Sequence, residues 1–492
     1  MKFLLSAIAV FSLLVGCNSE PKNEVILNDV HSRLNETHVD EYQEPSTEEE
    51  MAALVRRAAA EEKAISISGG RHAMGGQQFG TGTLHINTAR YNRVLHLDKE
   101  RGLVTVESGI TWPDLIDWLI KNQESDPKPW GIRQKQTGAD RLSLGGAISA
   151  NAHGRGLNLA PFAGDVESME VIAANGRVMK CSREENRELF SLVAGGYGLF
   201  GIITKMTLRL SPRIKIERKV EIIRLEDVPQ RLIERIQEGY LYGDYQFKTD
   251  ETAPDFLEVG VFSFYQPVES DRPVAETQRE LVAEQWSDLY KLAHLDKAKA
   301  FQVYLDYYLS TDGQIYWSDT HQLSYYVEGF DEFIDSALNA SVEGSLMICE
   351  FYVPREKLPD FLRAAKETIR RENANLIYGT VRFIEKDENS FLAWAREPWA
   401  TIVINLRVTH DVEGIATAQR QFQALIDDAL NLGGSYFLTY HRWARKDQVL
   451  RAYPQFPEFL RLKKKYDPEE RFQSDWYRHY REMFASELSE QN

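Results

Sequence analysis

The hydrophobic pattern predicts two regions that differ in how helices and strands alternate. In the first region, residues 51–58 place apolar side chains on one face of a helix. Short apolar runs at 64–68, 94–97 and 103–107 predict strands. This mixture continues to about Pro212. The first region is therefore predicted to combine α and β structure.

The second region, from residue 213, has longer elements. Long amphipathic stretches alternate with apolar runs that are rich in β-branched and aromatic residues. This pattern predicts an α+β domain with an antiparallel sheet. The predicted strands are 256–264, 346–353 and 401–408, and the predicted helices are 272–292, 358–371 and 412–432.

The N-terminal residues have the pattern of a secretory signal. Lys2 precedes an apolar run at 3–15 that is short for a membrane span. Residues 14–17, Leu-Val-Gly-Cys, resemble a bacterial lipobox, which implies cleavage before Cys17 and lipid attachment to it. A plain signal or a buried cysteine is the alternative. In a Gram-negative envelope, Asn18 implies the periplasmic face of the outer membrane, with the lipid as the only membrane contact.

Composition excludes several classes of function. The 492 residues carry 58 Lys and Arg against 74 Asp and Glu, a net charge of −16. Such acidity argues against nucleic acid or an anionic membrane surface as the main partner. Hydrophobic residues make up 43% of the chain, which excludes wholesale disorder. Cys17, Cys181 and Cys349 form neither a disulfide framework nor a metal-ligand spacing, so no metal site is expected.

Three glycine-rich segments carry the strongest chemical signal. The first, 68–77, follows a predicted strand and suits backbone N–H groups that converge on a diphosphate, although such turns are often purely structural. It matches neither G-x-G-x-x-G nor a P-loop. The second, 137–156, has small residues at nearly every position, so a flat aromatic group or another backbone must come very near. In the third, 195–204, glycines open onto an apolar strand.

Together the three segments resemble the FAD-binding domain of the vanillyl-alcohol oxidase, or PCMH-type, flavoprotein family. Residues 162–172, Asn175-Gly176 and the tail 466–475 are similar to the same family. The resemblance implies FAD held between two α/β subdomains, with the first segment on the diphosphate and the second beside the flavin. The implied cofactor-binding residues are Ser68, Gly69, Gly70, Arg71, His72, Ala73, Gly138, Ser143, Gly145, Gly146, Ser149, His153, Gly154, Gly198, Gly201 and Ile203.

The resemblance also implies a domain organisation. Residues 1–16 form a signal peptide, and 17–44 form the lipidated Cys17 and a tether, because the residues after it are polar and lack periodicity. A PCMH-type FAD-binding domain occupies 45–212. A substrate-binding domain follows at 213–436, and the C-terminal segment 437–492 returns to the FAD domain.

Two histidines are expected at the flavin. Gly70-Arg71-His72 resembles the point where alditol oxidases and cytokinin dehydrogenases bond a histidine covalently to the flavin. A covalent bond through His72 is therefore expected, and the alternative is that His72 only hydrogen-bonds near the diphosphate. His153 matches a flavin-side histidine of the sugar-oxidising members and is expected to line the active site.

The sequence identifies the substrate-binding residues less clearly than the cofactor-binding residues. By period two, Ile348, Glu350 and Tyr352 share one face of a strand, so Glu350 faces either the substrate or solvent. Residues 301–330 are rich in aromatic side chains. Such side chains suit stacking on sugar rings, but the core of a large domain or a lid explains the same composition, and the core is the preferred interpretation.

The C-terminal part is most similar to alditol oxidases, aldonolactone oxidases and decaprenylphosphoryl-ribose oxidase. Arg382 stands at the arginine of the Glu-x-Arg strand of alditol oxidases, but Thr380 stands where the carboxylate would be. Counting from Gly434 places Tyr440 on the usual catalytic lysine, and His441 is one residue away. We therefore expect Tyr440 or His441 as the base, with Arg382 orienting the substrate.

The predicted function is FAD-dependent oxidation of a CH–OH group of a sugar, polyol or aldonolactone. The resemblance implies hydride transfer to flavin N5, while a base removes the hydroxyl proton. The expected partners are this small-molecule alcohol and molecular oxygen or another redox acceptor. Oxidation of an amine or phenolic compound is a second possibility. A non-catalytic lipoprotein that binds flavin or an envelope glycan is a third.

Overall fold

A computed structural model describes residues 25–324 and 329–489. The signal peptide and Cys17 lie outside these residues. The strands are β1 (Val25–Leu27), β2 (Thr37–Val39), β3 (Glu41–Gln43), β4 (Ile65–Ser68), β5 (Leu84–Asn87), β6 (Val94–Asp98), β7 (Leu103–Glu107), β8 (Trp130–Gly131), β9 (Val166–Ile172), β10 (Val178–Ser182), β11 (Ile202–Arg209), β12 (Ser211–Pro212), β13 (Lys215–Arg224), β14 (Tyr242–Phe247), β15 (Val259–Pro267), β16 (Ile315–Trp317), β17 (Gly344–Pro354), β18 (Leu376–Ile384), β19 (Trp399–Thr409) and β20 (Ser435–Tyr436).

The helices alternate with these strands along the chain. They are α1 (Glu48–Ala60), α2 (Trp112–Lys121), α3 (Leu144–Ala150), α4 (Arg187–Val193), α5 (Val228–Gln237), α6 (Ala283–Leu295), α7 (Lys297–Ser310), α8 (Phe330–Leu338), α9 (Leu358–Arg371), α10 (Val412–Asn431), α11 (Lys446–Ala452), α12 (Phe456–Tyr466), α13 (Asp475–Met483) and α14 (Ala485–Ser489). The mixture of helices with largely antiparallel sheets confirms the predicted α+β class.

Two sheets of three or more strands lie in the described part of the N-terminal half, beside the two-stranded pairs β1-β2 and β8-β12. One is parallel, with the order β3-β5-β4, and the other is antiparallel, with the order β10-β9-β11-β7-β6. Helix α1 begins at the N-cap Thr47, whose Oγ1 accepts from the backbone N–H of Glu50, and the Glu50 carboxylate accepts from the N–H of the preceding Ser46. Its buried face, which includes Met51 and Val55, belongs to the same apolar cluster as residues of β4 and β5.

The second half is built on one antiparallel sheet with the order β16-β13-β15-β14-β18-β19-β17-β20. Strands β17 and β19 pair over their whole length, from Gly344 opposite Thr409 to Pro354 opposite Trp399. The amphipathic helices α9 and α10 pack on this sheet through apolar faces that include Phe361. Side chains from β14, β17, β18 and β19 that point away from these helices are available to line a site.

The C-terminal segment lies against the first parallel sheet. The N–H of Ile65 on β4 donates to the carbonyl of Arg471 at 2.6 Å, and the N–H of Gln473 donates back to Ile65 at 2.8 Å. The Arg471 guanidinium also donates to the carbonyls of Ala58 and Lys63. These hydrogen bonds join the C-terminal segment to the edge of the parallel sheet in the N-terminal half.

Two expectations about local structure are wrong. Residues 25–44 are not a simple tether, because they contain β1, β2 and β3, and Leu27 and Val39 pack on Phe79. Strands of three residues are too short to show a readable periodicity. The helix expected at 272–292 begins at Ala283, since the residues before it, which include Pro273, are irregular.

None of the helices in the described residues combines the length and the apolar character that a membrane crossing requires.

Candidate functional site

The three glycine-rich segments and the exposed face of the eight-stranded sheet enclose a cavity of about 590 Å³. Gly154 does not line this cavity. It packs on the preceding chain instead, where a Cβ at position 154 would lie 2.7 Å from the carbonyl of Lys135. The other predicted cofactor residues all contribute to the wall: Ser68, Gly69, Gly70, Arg71, His72, Ala73, Gly138, Ser143, Gly145, Gly146, Ser149, His153, Gly198, Gly201 and Ile203.

The glycine-lined part of the cavity is a slot in which backbone forms much of the wall. Ser143 caps α3, and its Oγ accepts from the N–H of Gly146 at 3.2 Å. Gly69 lies so near that an added Cβ would come within 1.9 Å of this oxygen. Gly198 has a φ of +75°, which favours glycine. The slot therefore fits a flat ring and a diphosphate that approach the backbone closely, as FAD requires.

His72 lies in this slot beside another histidine. Its Nδ1 is 2.8 Å from Nε2 of His31, and both side chains line the cavity. Burial lowers the pKa of His72 well below its usual value, and burial also lowers the pKa of His31. Both imidazoles are therefore neutral at neutral pH. His31 belongs to the segment expected to be a tether, and no pattern of residues around it indicates this contact.

The centre of the cavity holds a buried pair of His153 and Glu350. Nε2 of His153 lies 2.5 Å from Oε1 of Glu350, and the two residues are only 3% and 2% exposed. Nδ1 of the same ring is 3.1 Å from the carbonyl of Gly154, which can only accept. With a proton on Nδ1, the short contact requires a second proton between Nε2 and Oε1. The other carboxylate oxygen, Oε2, accepts from the hydroxyl of Tyr440 at 3.1 Å.

His153 is positioned by the end of α3. Asn151 caps that helix in the left-handed region, with a φ of 50°. Its amide donates to Asp387 at 2.8 Å and its side-chain oxygen accepts from Ala163 N. Trp394 donates to the Asn151 carbonyl and lies against the His153 ring, with centroids 5.2 Å apart. The histidine therefore projects from a rigid corner.

Strands β17 and β18 bring two predicted residues into the same cavity. Glu350 faces the cavity, not solvent, together with Ile348, as the period of β17 allows. Arg382 on β18 also lines it, and its Nε is buried without a hydrogen-bond partner among the described residues. Thr380 donates to the Tyr245 carbonyl and is not part of the wall. Glu350 supplies a carboxylate to the same cavity from β17, which β19 separates from β18.

The two predicted bases differ in whether they line the cavity. His441 is not in the cavity wall, because its ring is buried against Trp443 with centroids 4.3 Å apart. Burial lowers the pKa of His441 to about 4. Tyr440 does line the cavity, but burial and the Glu350 carboxylate raise its pKa well above 10. Tyr440 is therefore a hydrogen-bond donor to Glu350 and is not itself suited to accept a proton.

A second polar region of the cavity was not expected from the sequence. Asp244 and Gln246 on β14, together with Arg155, line it. Aromatic side chains of α7 form the adjoining wall, so the aromatic segment does not serve only as core. A polar residue at every second position of an otherwise apolar strand was the available signal. The aromatic residues of α7 in this wall are Phe301, Tyr304, Tyr307 and Tyr308.

Comparison with known families agrees with this geometry. Residues 40–182 match the model of an FAD binding domain, and residues 252–480 match the model of D-arabinono-1,4-lactone oxidase. The two matched stretches contain the glycine-rich slot up to residue 182 and the strands that carry Glu350 and Arg382. FAD is therefore the cofactor of this slot.

Individual relatives match over a limited part of their length. L-gulonolactone oxidase of Bos taurus is 28% identical over 192 residues, which are 39% of this chain and 42% of that protein. L-galactono-1,4-lactone dehydrogenase of Arabidopsis thaliana is 30% identical over 144 residues, 29% of this chain and 22% of that protein. Cytokinin dehydrogenase 5 of the same plant is 30% identical over 187 residues, 36% and 33% respectively. The alignments thus span less than half of each relative.

Filling the slot at Gly69 is expected to weaken FAD binding. In Gly69→Ala the new methyl displaces Ser143, and overpacking of this kind costs about 1–3 kcal/mol, or roughly tenfold in affinity. The matched control is Gly164→Ala, because its Cβ would meet nothing nearer than 3.5 Å. The measurement is the dissociation constant of FAD, from flavin fluorescence on titration of deflavinated protein, with both variants made in a His72→Ala background so that binding stays reversible. Equal affinities for the two variants would contradict the assignment.

Proposed function

We propose that this chain, a PCMH-type FAD-binding protein with a D-arabinono-1,4-lactone oxidase domain, oxidises a CH–OH group of an aldonolactone or a related sugar derivative. The observation that carries the proposal is the placement of the His153–Glu350 pair and Arg382 in the cavity that contains the glycine-rich slot. Relatives named as lactone oxidases and lactone dehydrogenases support the substrate class.

Glu350 is the group that takes the substrate's hydroxyl proton. One oxygen, Oε1, shares a proton with His153, so Oε2 is the oxygen open to a second proton. The Tyr440 hydroxyl holds Oε2 in place and remains protonated through the neutral pH range. Burial of the pair excludes water, which strengthens these interactions relative to an exposed carboxylate.

Arg382 orients the reacting oxygen. Its buried Nε has no partner among the described residues, so a substrate hydroxyl or carbonyl oxygen would satisfy it. A fixed guanidinium also stabilises negative charge that develops on this oxygen as the proton leaves. FAD, when bound, supplies the chemistry of hydride acceptance. Either oxygen or another acceptor then takes the electrons.

Replacing the proton acceptor is expected to stop turnover without loss of FAD. In Glu350→Gln the amide keeps the shape of the side chain but cannot take the proton, so kcat falls by roughly 100-fold or more. Glu356→Gln, at an exposed glutamate that follows the same strand, is the charge-matched control. The measurement is anaerobic bleaching of the flavin by aldonolactones, polyols, amines and phenols.

The donor panel also distinguishes the alternatives. Bleaching by amines or phenols alone would contradict the substrate class, and bleaching of Glu350→Gln at the wild-type rate would contradict the role of Glu350. Flavin that no donor class reduces would favour a binding protein without catalysis.

We infer that the flavin is bonded covalently to His72. A buried, neutral imidazole is a suitable nucleophile, and His31 at 2.8 Å holds its ring in place. The new bond replaces one ring N–H and one C–H of the flavin 8α-methyl group. The two electrons released reduce the flavin and then pass to oxygen or the other acceptor.

Flavin is therefore expected to stay with the unfolded chain. After acid denaturation and gel electrophoresis, the wild-type band fluoresces under ultraviolet light, whereas His72→Ala gives no fluorescent band. His96→Ala, at an exposed histidine, is the control and keeps the fluorescence. Yellow colour released from the wild type into the supernatant would contradict a covalent bond.

We propose that the protein is attached to the cell envelope by lipid at Cys17, as the lipobox-like residues 14–17 support. Growth of the expressing bacteria with radioactive palmitate is expected to label the wild type and Ser19→Ala, but not Cys17→Ala. Label on Cys17→Ala, or none on the wild type, would contradict the anchor.

A further inference from the structure

The second polar region of the cavity contains buried hydrogen-bond acceptors that no side chain or backbone group in the described part of the chain satisfies. Asp244 and Gln246 are two residues apart on β14 and are each 6% exposed. Gln246 Nε2 donates to Oδ2 of Asp244 at 2.8 Å, which fixes the orientation of the amide. Asp244 Oδ1 and Gln246 Oε1 are then left without a hydrogen-bond partner among the described residues.

Such atoms are costly unless a ligand pairs with them. Proteins rarely leave two unpaired buried polar groups side by side. Both atoms accept only, so the missing partner must carry adjacent donors. Both residues line the cavity, as does Arg155, whose buried Nε is likewise unpaired among the described residues.

The charges in this region decide which donors fit. The Arg155 Nη1 is 3.8 Å from Asp244 Oδ1, and Arg218 lines the same region with its guanidinium bound to Tyr265 and Thr311. The Arg155 guanidinium beside this carboxylate, together with Arg218 on the same cavity wall, disfavours a cationic amine. Neutral hydroxyl groups donate to the acceptors without adding positive charge. A hydroxyl oxygen can also accept from Arg155.

The aromatic wall supports the same ligand class. Tyr304 and Tyr308 of α7 lie side by side, with ring centroids 4.4 Å apart, and both line the cavity. Aromatic faces pack against the C–H faces of sugars, while carboxylate and amide oxygens accept from their hydroxyls. The region thus combines the two kinds of contact that a polyhydroxylated ligand needs.

We propose that Asp244 and Gln246 form a subsite for adjacent hydroxyl groups of the substrate, so that the preferred substrate is polyhydroxylated. This inference rests on the proposed function for the ligand being a substrate. Asp244 and Gln246 act on specificity, because the proton is accepted elsewhere, at Glu350.

The test measures binding of L-gulono-1,4-lactone and of an analogue that lacks its side-chain hydroxyls. Binding is followed by the change in flavin absorbance in Glu350→Gln holoenzyme, whose slow turnover leaves the complex intact. In Asp244→Asn the amide N–H₂ replaces the free acceptor, so affinity for the full lactone falls about tenfold or more. Affinity for the analogue stays within about twofold, and Asp227→Asn, at an exposed aspartate, is the matched control.

A second variant guards against a purely structural effect. Gln246→Met keeps the volume and removes the acceptor, and it is expected to show the same selective loss with unchanged FAD content. Equal losses for both ligands, or no loss for either, would overturn the subsite. Tighter binding of an alkylamine than of the lactone, abolished in Asp244→Asn, would overturn it in favour of a cation site. A selective loss of binding, combined with wild-type flavin that no donor reduces, would support the subsite and count against the proposed function alone.

Discussion

The contact between His153 and Glu350 is the interaction on which the site depends. It joins the end of α3, in the cofactor half, to the middle of β17, in the substrate half, across 197 positions of sequence. Two buried groups with a shared proton avoid the cost of an isolated buried charge. Because the Gly154 carbonyl and Tyr440 satisfy the remaining positions, the pair has one defined orientation. That orientation leaves Oε2 of Glu350 outside the shared proton, with the Tyr440 hydroxyl as its donor.

The rest of the cavity extends this arrangement in two directions. On one side, glycines bring backbone and Ser143 close enough to hold a thin cofactor. On the other side, Arg382, Asp244 and Gln246 present buried polar atoms that have no hydrogen-bond partner in residues 25–324 and 329–489. A folded protein tolerates such atoms where a ligand satisfies them, so the unpaired atoms mark the positions at which polar groups of a substrate would bind. The cofactor slot and the polar region are parts of one continuous cavity.

Sequence reasoning was strongest where the local backbone must be small. Gly69 and Gly198 stand where the backbone needs a close approach or a positive φ. Glycine-rich segments of this kind predicted the FAD-binding domain. It was weaker where function depends on distant partners. The sequence left Glu350 with two possible faces and placed the carboxylate expected beside Arg382 at Thr380, because pairing between β17, β19 and β18 is set by the whole sheet. The prediction of His441 as a base was wrong for a related reason. A shift of one residue in a loop changes which side chain enters the cavity.

The most direct test of this account is an infrared difference spectrum between the oxidised enzyme and the enzyme reduced anaerobically by an aldonolactone. Proton uptake by Glu350 predicts a new carbonyl stretch of a protonated carboxylic acid, which shifts in deuterium oxide and is absent in Glu350→Gln. Reduction of the wild-type flavin without such a band, at a rate that Glu350→Gln matches, would contradict the role of the buried pair.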